Sequence, residues 1–312
     1  MSCCLNCCVD LYPTPALPLE RGGSRKVRQR MNSLVSRVLV FICAIAICLS
    51  TCPSALAGKL SDRIDRFPNW AGAVQVTRHE GELSYPEWFQ GRWQVTSTLL
   101  EQIAPLAPDV VTPGFENNRQ YIDKPIEFTV QFVPNQPAKV AKFSPLNLPR
   151  LKSKLPAPQI VADRAFNGLN IATAYLGAAN VTSVKIDPQN PTKQITQLTQ
   201  DRELEAFVTG FDSDSQRLRQ REIAQPNQFV STELSQQIFR TSSTIYLNTV
   251  ETTTSYQFTP TPTPSITATQ ISAIYLSPKD PNYFRSIDKL QSRPVALYKY
   301  QLKLVPTPKS VK

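Results

Sequence analysis

One histidine, His79, serves the whole chain of 312 residues, and it stands in a polar stretch between Arg78 and Glu80. All seven cysteines, at positions 3, 4, 7, 8, 43, 48 and 52, precede Ala57. Beyond that point a nucleophile–imidazole pair has to recruit His79 or go without. Zinc, haem and non-haem iron lose their usual nitrogen and sulfur ligands for the same reason. Cys3-Cys4 and Cys7-Cys8 have the close spacing of metal ligands, but no second half of a site follows them. With only ten glycines, no phosphate-cradling loop is present. The residues therefore assign no catalytic group, no metal and no cofactor.

Carboxylates, arginines and aromatics remain. Asp212 and Asp214 could approach a hard cation, although two acids one residue apart read first as a solvated turn. Glu203 and Glu205 share a strand face; pointing inward they would repel and raise one pKa, and pointing outward they are the wet side of a sheet. Arg119, Arg164, Arg240 and Arg293 sit among apolar and aromatic neighbours. Trp88, Trp93, Phe115, Phe128, Val130 and Phe132 have the character of an apolar pocket wall, and hydroxyls between Thr244 and Ser255 would orient a guest. Lys139, Lys142, Arg150, Lys152 and Lys154 fall in a Pro-rich stretch without an acid, a surface suited to an anionic membrane or partner. Net charge is +10, yet no basic helix or finger spacing suggests nucleic acid.

These side chains need elements to hold them. From Gly91 the chain alternates: Trp93, Val95, Ser97 and Leu99 on one face, Arg92, Gln94, Thr96 and Thr98 on the other. Ile126, Phe128, Val130 and Phe132 repeat the pattern. Further strands are expected at 181–186, 193–199, 204–211, 229–240, 244–258, 266–276 and 294–305, with turns at Asp187-Pro188 and Asp280-Pro281-Asn282. Ala104–Gly114 carries Pro105, Pro108 and Pro113 and cannot be a central strand; it is expected to cap one end. Lys139–Gln159, with four prolines, is expected to be an exposed loop. Helical spacing of Ala162, Ala165, Leu169, Ala172 and Leu176 predicts one helix over 161–177, stopped by Gly177. The fold class that follows is mainly β, a single antiparallel barrel of about 8–10 strands with one helix and a Pro-rich loop.

The N-terminal region reads differently. Arg37, the apolar run Val38–Leu49 and Ala55-Leu56-Ala57 have the order of a secretory signal over 31–57, with cleavage between Ala57 and Gly58. Twelve apolar residues are too few to span a bilayer core, which takes about 20. Residues 1–30 read as an upstream extension, disordered or not translated at all. Residues 58–80 form an irregular lead-in with a helical turn near Leu60–Asp65 and a plug at Phe67-Pro68-Asn69-Trp70. The barrel domain occupies 81–312, and the mature chain is expected to fold without crosslinks in the periplasm or thylakoid lumen.

Gly91-Arg92-Trp93 resembles the G-x-W signature that opens the first strand of lipocalins and the wider calycin group. That resemblance implies an Arg stacked on Trp93 at a closed barrel end, with Arg240 or Arg293 as the candidate beside Gly91. The chain also resembles an uncharacterised family of cyanobacterial proteins with chloroplast relatives in plants. Tyr85-Pro86, Trp88-Phe89-Gln90-Gly91, Thr112-Pro113-Gly114-Phe115 and Arg164-Ala165-Phe166-Asn167-Gly168-Leu169-Asn170 carry the likeness, as do Tyr275-Leu276-Ser277-Pro278 and Arg293-Pro294-Val295-Ala296-Leu297-Tyr298. It implies an exported setting and no mechanism. Three functions are weighed: a non-enzymatic binder of a small apolar molecule such as a pigment, lipid or quinone; an accessory factor on a photosynthetic or envelope membrane complex; and a carboxylate-dependent enzyme on a lipophilic substrate.

Overall fold

The computed structural model describes residues 60–70, 72–76, 81–135, 158–214 and 227–307, all within the compact unit Gly58–Lys312. Ten strands form one antiparallel sheet. In chain order they are β1 (Gly91–Ile103), β2 (Pro125–Asn135), β3 (Gln159–Ala162), β4 (Val181–Ile186), β5 (Lys193–Leu198), β6 (Arg202–Ser213), β7 (Gln228–Arg240), β8 (Ile245–Thr259), β9 (Ser265–Leu276) and, last, β12 (Ala296–Pro306). Their order across the sheet is β3-β2-β1-β12-β9-β8-β7-β6-β5-β4, so β12 inserts between β9 and β1 and joins two meanders. A separate short hairpin pairs β10 (Ile287–Asp288) with β11 (Gln291–Ser292). The helices are α1 (Leu60–Asp65), α2 (Phe115–Asn118) and α3 (Arg164–Leu176).

The sheet is a curled half-barrel rather than a closed barrel, which corrects the closed architecture expected from the alternation. Its direction of curl is read from one phenylalanine. Flat, β2 and β7 would lie five strand spacings, roughly 24 Å, apart. Yet the rings of Phe132 on β2 and Phe229 on β7 both meet Phe89, at 4.8 and 5.8 Å. The face bearing Phe132, Trp93, Leu304, Ile266 and Phe229 is therefore concave, and its residues form one buried cluster.

Closure fails because the edge strands β3 and β4 do not pair; α3 runs between them. A helix satisfies its amides internally and cannot extend a ladder. It seals the seam with side chains instead. The Asn167 amide hydrogen-bonds both backbone groups of Gln131 on β2. Arg164 donates to the carbonyls of Pro191 and Thr192 before β5. Gly168 lets the helix approach β5, where an added Cβ would stand 2.8 Å from the Gln194 side chain.

The helix starts later than its apolar spacing suggested. Val161 and Ala162 pair with Val133 and Phe132 as β3, and Asp163 is the N-cap, accepting from Phe166 N at 3.1 Å. A strand end at the start of that span has the same apolar content as a helix start, and only the Asp163 cap separates the two. Gly177, at φ 84°, ends it as expected. The Pro-rich loop is described only from residue 158 onward, so Lys139, Lys142, Arg150, Lys152 and Lys154 lie outside the described residues, as do His79, Ala57 and Gly58.

The convex face is covered as well. Residues 60–70 and 72–76 lie across β8, β9 and β12, where Trp70, Phe67 and Ile64 pack on Ile271, Ala273, Tyr275 and Leu297. Arg63 forks onto Glu251 of β8, which is wholly buried. At the other side of the concave face, 104–122 caps the end of the sheet: Phe115 is buried against Leu99, Ala296 and Tyr298, and Val110 against Leu276 and Val295.

Candidate functional site

The aromatic residues proposed as a pocket wall divide into two groups. Trp93, Val130 and Phe132 are buried in the concave cluster, with Trp88 and Phe128 packed on its margin. Trp88 stacks on Phe258 at 5.0 Å and on Phe89 at 4.2 Å, while Trp93 donates from Nε1 to Phe89 O at 2.8 Å. Phe115 belongs to the capping cluster at the opposite end. Eight residues of β12 separate Leu304 in the first cluster from Ala296 in the second, roughly 26 Å along a strand. Trp88 and Phe115 thus do not line one pocket wall.

The arginines are employed elsewhere. Arg240 ends β7, eleven residues beyond the Phe229 that joins Trp93's cluster, and its guanidinium meets Glu205 at 3.4 Å. It does not stack on Trp93, because the strand carries it to the far end of the sheet. Arg293 anchors the β10–β11 excursion through its backbone N–H to Ser286 O. The cation–π pairs among the described residues are Arg63 on Trp70, Arg92 on Phe166, Lys193 on Phe207 and Lys299 on Phe67. Arg119 pairs with Glu116 on the surface. Gly91, the first residue of the G-x-W triplet, holds φ 120°, a conformation that side chains other than glycine resist.

Glu203 and Glu205 alternate with Leu204 and point away from the concave face. Lys193 Nζ lies 2.5 Å from Glu205 Oε1; that hydrogen bond, helped by Arg240, holds the Glu205 carboxyl below its ordinary range. The pair is the outer side of the sheet, and the pKa moves opposite to mutual repulsion. Asp212 lies at the end of β6 and Asp214 just beyond it; Asp212 Oδ1 accepts from Ser213 N and Leu60 N approaches Asp214 Oδ1 at 3.4 Å.

A different carboxylate stands inside. On β7, Phe229, Ser231, Glu233 and Ser235 share the concave face, opposite Tyr256, Thr254, Thr252 and Val250 of β8. Glu233 is surrounded by protein, and burial raises its pKa. It nevertheless keeps some accessible surface on the concave face. Among the described residues its carboxyl makes no side-chain hydrogen bond or ion pair, while its backbone pairs with Phe211 and Thr252. Arg164 opposes its shift and Glu82 adds to it.

Tyr85 and Tyr256 complete the group. Tyr85 bridges Ile160 through its backbone and sets its ring edgewise on Phe89 and Phe132, at 5.0 and 4.8 Å. Burial and the neighbouring Tyr256 and Glu233 push its phenol well up; burial likewise pushes Tyr256 to about 12. Both phenols remain protonated donors at neutral pH. Burial also raises Glu82, with Arg164 pulling against it and Asp163 adding to the rise. Two carboxyls, two phenols and one guanidinium thus gather beside an aromatic wall. The arrangement can hydrogen-bond a polar end while the rings take an apolar body.

Glu233 is absent from the sequence-derived candidates for a physical reason. Ser231, Glu233 and Ser235 alternate with Val230, Thr232 and Leu234, and alternation alone sends the polar set to water. The one available signal was Phe229, which begins the same face. Val230 and Thr232 on the other face are buried, and Thr232 and Thr253 share a 2.8 Å hydroxyl contact there.

No curated protein and no solved structure matches the chain. The sequence profile of a domain of unknown function, DUF6816, matches residues 79–308, so the region holding β1 to β12, α3, Glu233 and both tyrosines is the family's own domain, and the chain belongs to the DUF6816 family.

Proposed function

We propose that this protein is a non-enzymatic binder of a small, largely apolar molecule, a pigment, lipid or quinone, held inside the curl of the sheet and bound outside the cytoplasm. The observation that carries the reading is Glu233: a deeply set carboxyl on the concave face that keeps some accessible surface, with two protonated phenols nearby and an aromatic wall beside it. The cost of burying such a group unpaired is recovered when a guest supplies the partner. Its body would lie toward Phe128 and Tyr256, its polar end toward Glu233 and Tyr85. The compartment rests on the signal-like segment 31–57, and the resemblance to cyanobacterial and chloroplast proteins would agree with it.

The test is purification of the protein from its native host, with mass spectrometry of extracted small molecules and amino-terminal sequencing. A co-purifying apolar molecule, lost in Glu233→Gln and Tyr85→Phe, and a chain starting at Gly58 are expected. A protein that carries none, and whose tryptophan emission no pigment, lipid or quinone alters, would end the binding reading. A second reading, an accessory factor docking on a photosynthetic or envelope membrane complex, is favoured by a separate observation: Phe284 and Leu290 stand 83% and 98% exposed.

A further inference from the structure

The excursion between β9 and β12, residues 277–293, has a rigid base and an apolar tip. Ser286 is fully buried, with its Oγ donating to Tyr283 O and its carbonyl accepting from Arg293 N, each at 2.7 Å. Tyr283 packs on the Val110, Leu276 and Val295 cluster. From that base Phe284 projects into solvent, its ring 5.5 Å from that of Tyr283 in an edge-to-face arrangement. The β10–β11 hairpin then turns through Lys289 and Leu290, at φ 48° and 66°. A two-residue reversal with both φ positive is the position of Asn-Gly, and a leucine there is sterically strained. The most exposed large apolar side chain among those described therefore occupies a turn that disfavours it.

Charge accompanies both apolar residues. Arg285 follows Phe284 and Lys289 precedes Leu290; with Lys279 they are three exposed cations against one exposed acid, Asp288. Apolar tips flanked by long cationic side chains suit a bilayer interface, where the tips enter and the cations reach lipid phosphates. A fixed base means little ordering is lost on contact. We propose that residues 277–293 form a membrane-contact element, with Phe284 and Leu290 entering the interface of an anionic bilayer and Lys279, Arg285 and Lys289 meeting its headgroups. This is independent of any molecule held in the curl.

The experiment uses the full chain with vesicles of phosphatidylcholine alone or mixed with phosphatidylglycerol. Phe284→Trp should show a blue-shifted emission component on the anionic vesicles, quenched by brominated lipid and absent in the parent protein. The readout is local, so attachment through another segment leaves it unmoved. Combining Leu290→Gly with Lys289→Gln in that background should cut the vesicle affinity read from this component about ten-fold or more, with the thermal melt kept or raised because glycine relieves the turn. An introduced tryptophan that brominated lipid leaves unquenched, equal signals on neutral and anionic vesicles, or an affinity unchanged by the added substitutions overturns the proposal. So does a signal that responds only to an added protein partner.

Discussion

Asn167 stands in for a missing strand beside Gln131. Its Oδ1 accepts from Gln131 N at 2.7 Å and its Nδ2 donates to Gln131 O at 3.1 Å, continuing the β2 edge beyond the point where β3 ends. One amide thereby fastens α3 to one side of the seam, while Arg164 and Gly168 hold it to the other.

Replacing Asn167 with Ala should leave the Gln131 N–H unpaired, at a cost of about 1–3 kcal/mol. In a domain of this size each kcal/mol lowers Tm by about 2–4 °C. Amide exchange at Gln131 should quicken in parallel. An unchanged melt with unchanged protection there would mean the seam is held without Asn167.

The Arg63–Glu251 pair ties the N-terminal cover to the convex face. Glu251 also accepts from Val74 N at 3.0 Å, Tyr275 OH at 3.1 Å and Thr253 Oγ1 at 3.1 Å. Removing only the arginine, as Arg63→Met, leaves a buried carboxylate short of its counter-charge and should cost about 3–5 kcal/mol. The double variant Arg63→Met/Glu251→Leu should cost less than the sum of the single changes. A double-mutant cycle by urea unfolding measures this, and strict additivity would count against a coupled pair.

Trp93, 4% exposed, is a keystone of the concave cluster. Truncation to Ala should destabilise by about 3–5 kcal/mol, and Trp93→Phe, which loses the bond to Phe89 O, by less. A near-neutral Trp93→Ala result would place the tryptophan outside the core.

Burial raises the Glu233 pKa in the fold. Its protonated form is therefore favoured there, and the native chain holds more protons than the unfolded one above the ordinary carboxyl range. Its contribution is fully present below the unfolded pKa and is lost as pH rises through the folded value. Glu82 acts with the same sign. Glu233→Gln should flatten that part of the pH–stability curve and gain most toward neutral pH. Parallel curves for the two proteins would show that Glu233 is not held in a costly environment.

How far the sequence reached depends on what kind of information each feature carries. Alternation of small and large residues in 181–186, 229–240 and 266–276 is local, and it located the strands to within a residue or two of their observed ends. Gly177 and the three prolines of 104–113 act through their own backbone restrictions, so the helix stop and the irregular cap were legible as well. The side that counts as inside was not. For Ser231, Glu233 and Ser235 alternation records only a difference between two faces and not which of them is inside. Here the lead-in around Trp70 and Arg63 dries the convex side of β8 and β9, and the curl turns the polar set inward. Closure was equally invisible: G-x-W and a run of strands suit a barrel, but whether β3 meets β4 depends on the length and path of α3 between them. Both are properties of how distant segments meet. The packing of Arg63 and Val74 against Glu251, and of Asn167 against Gln131, decided them.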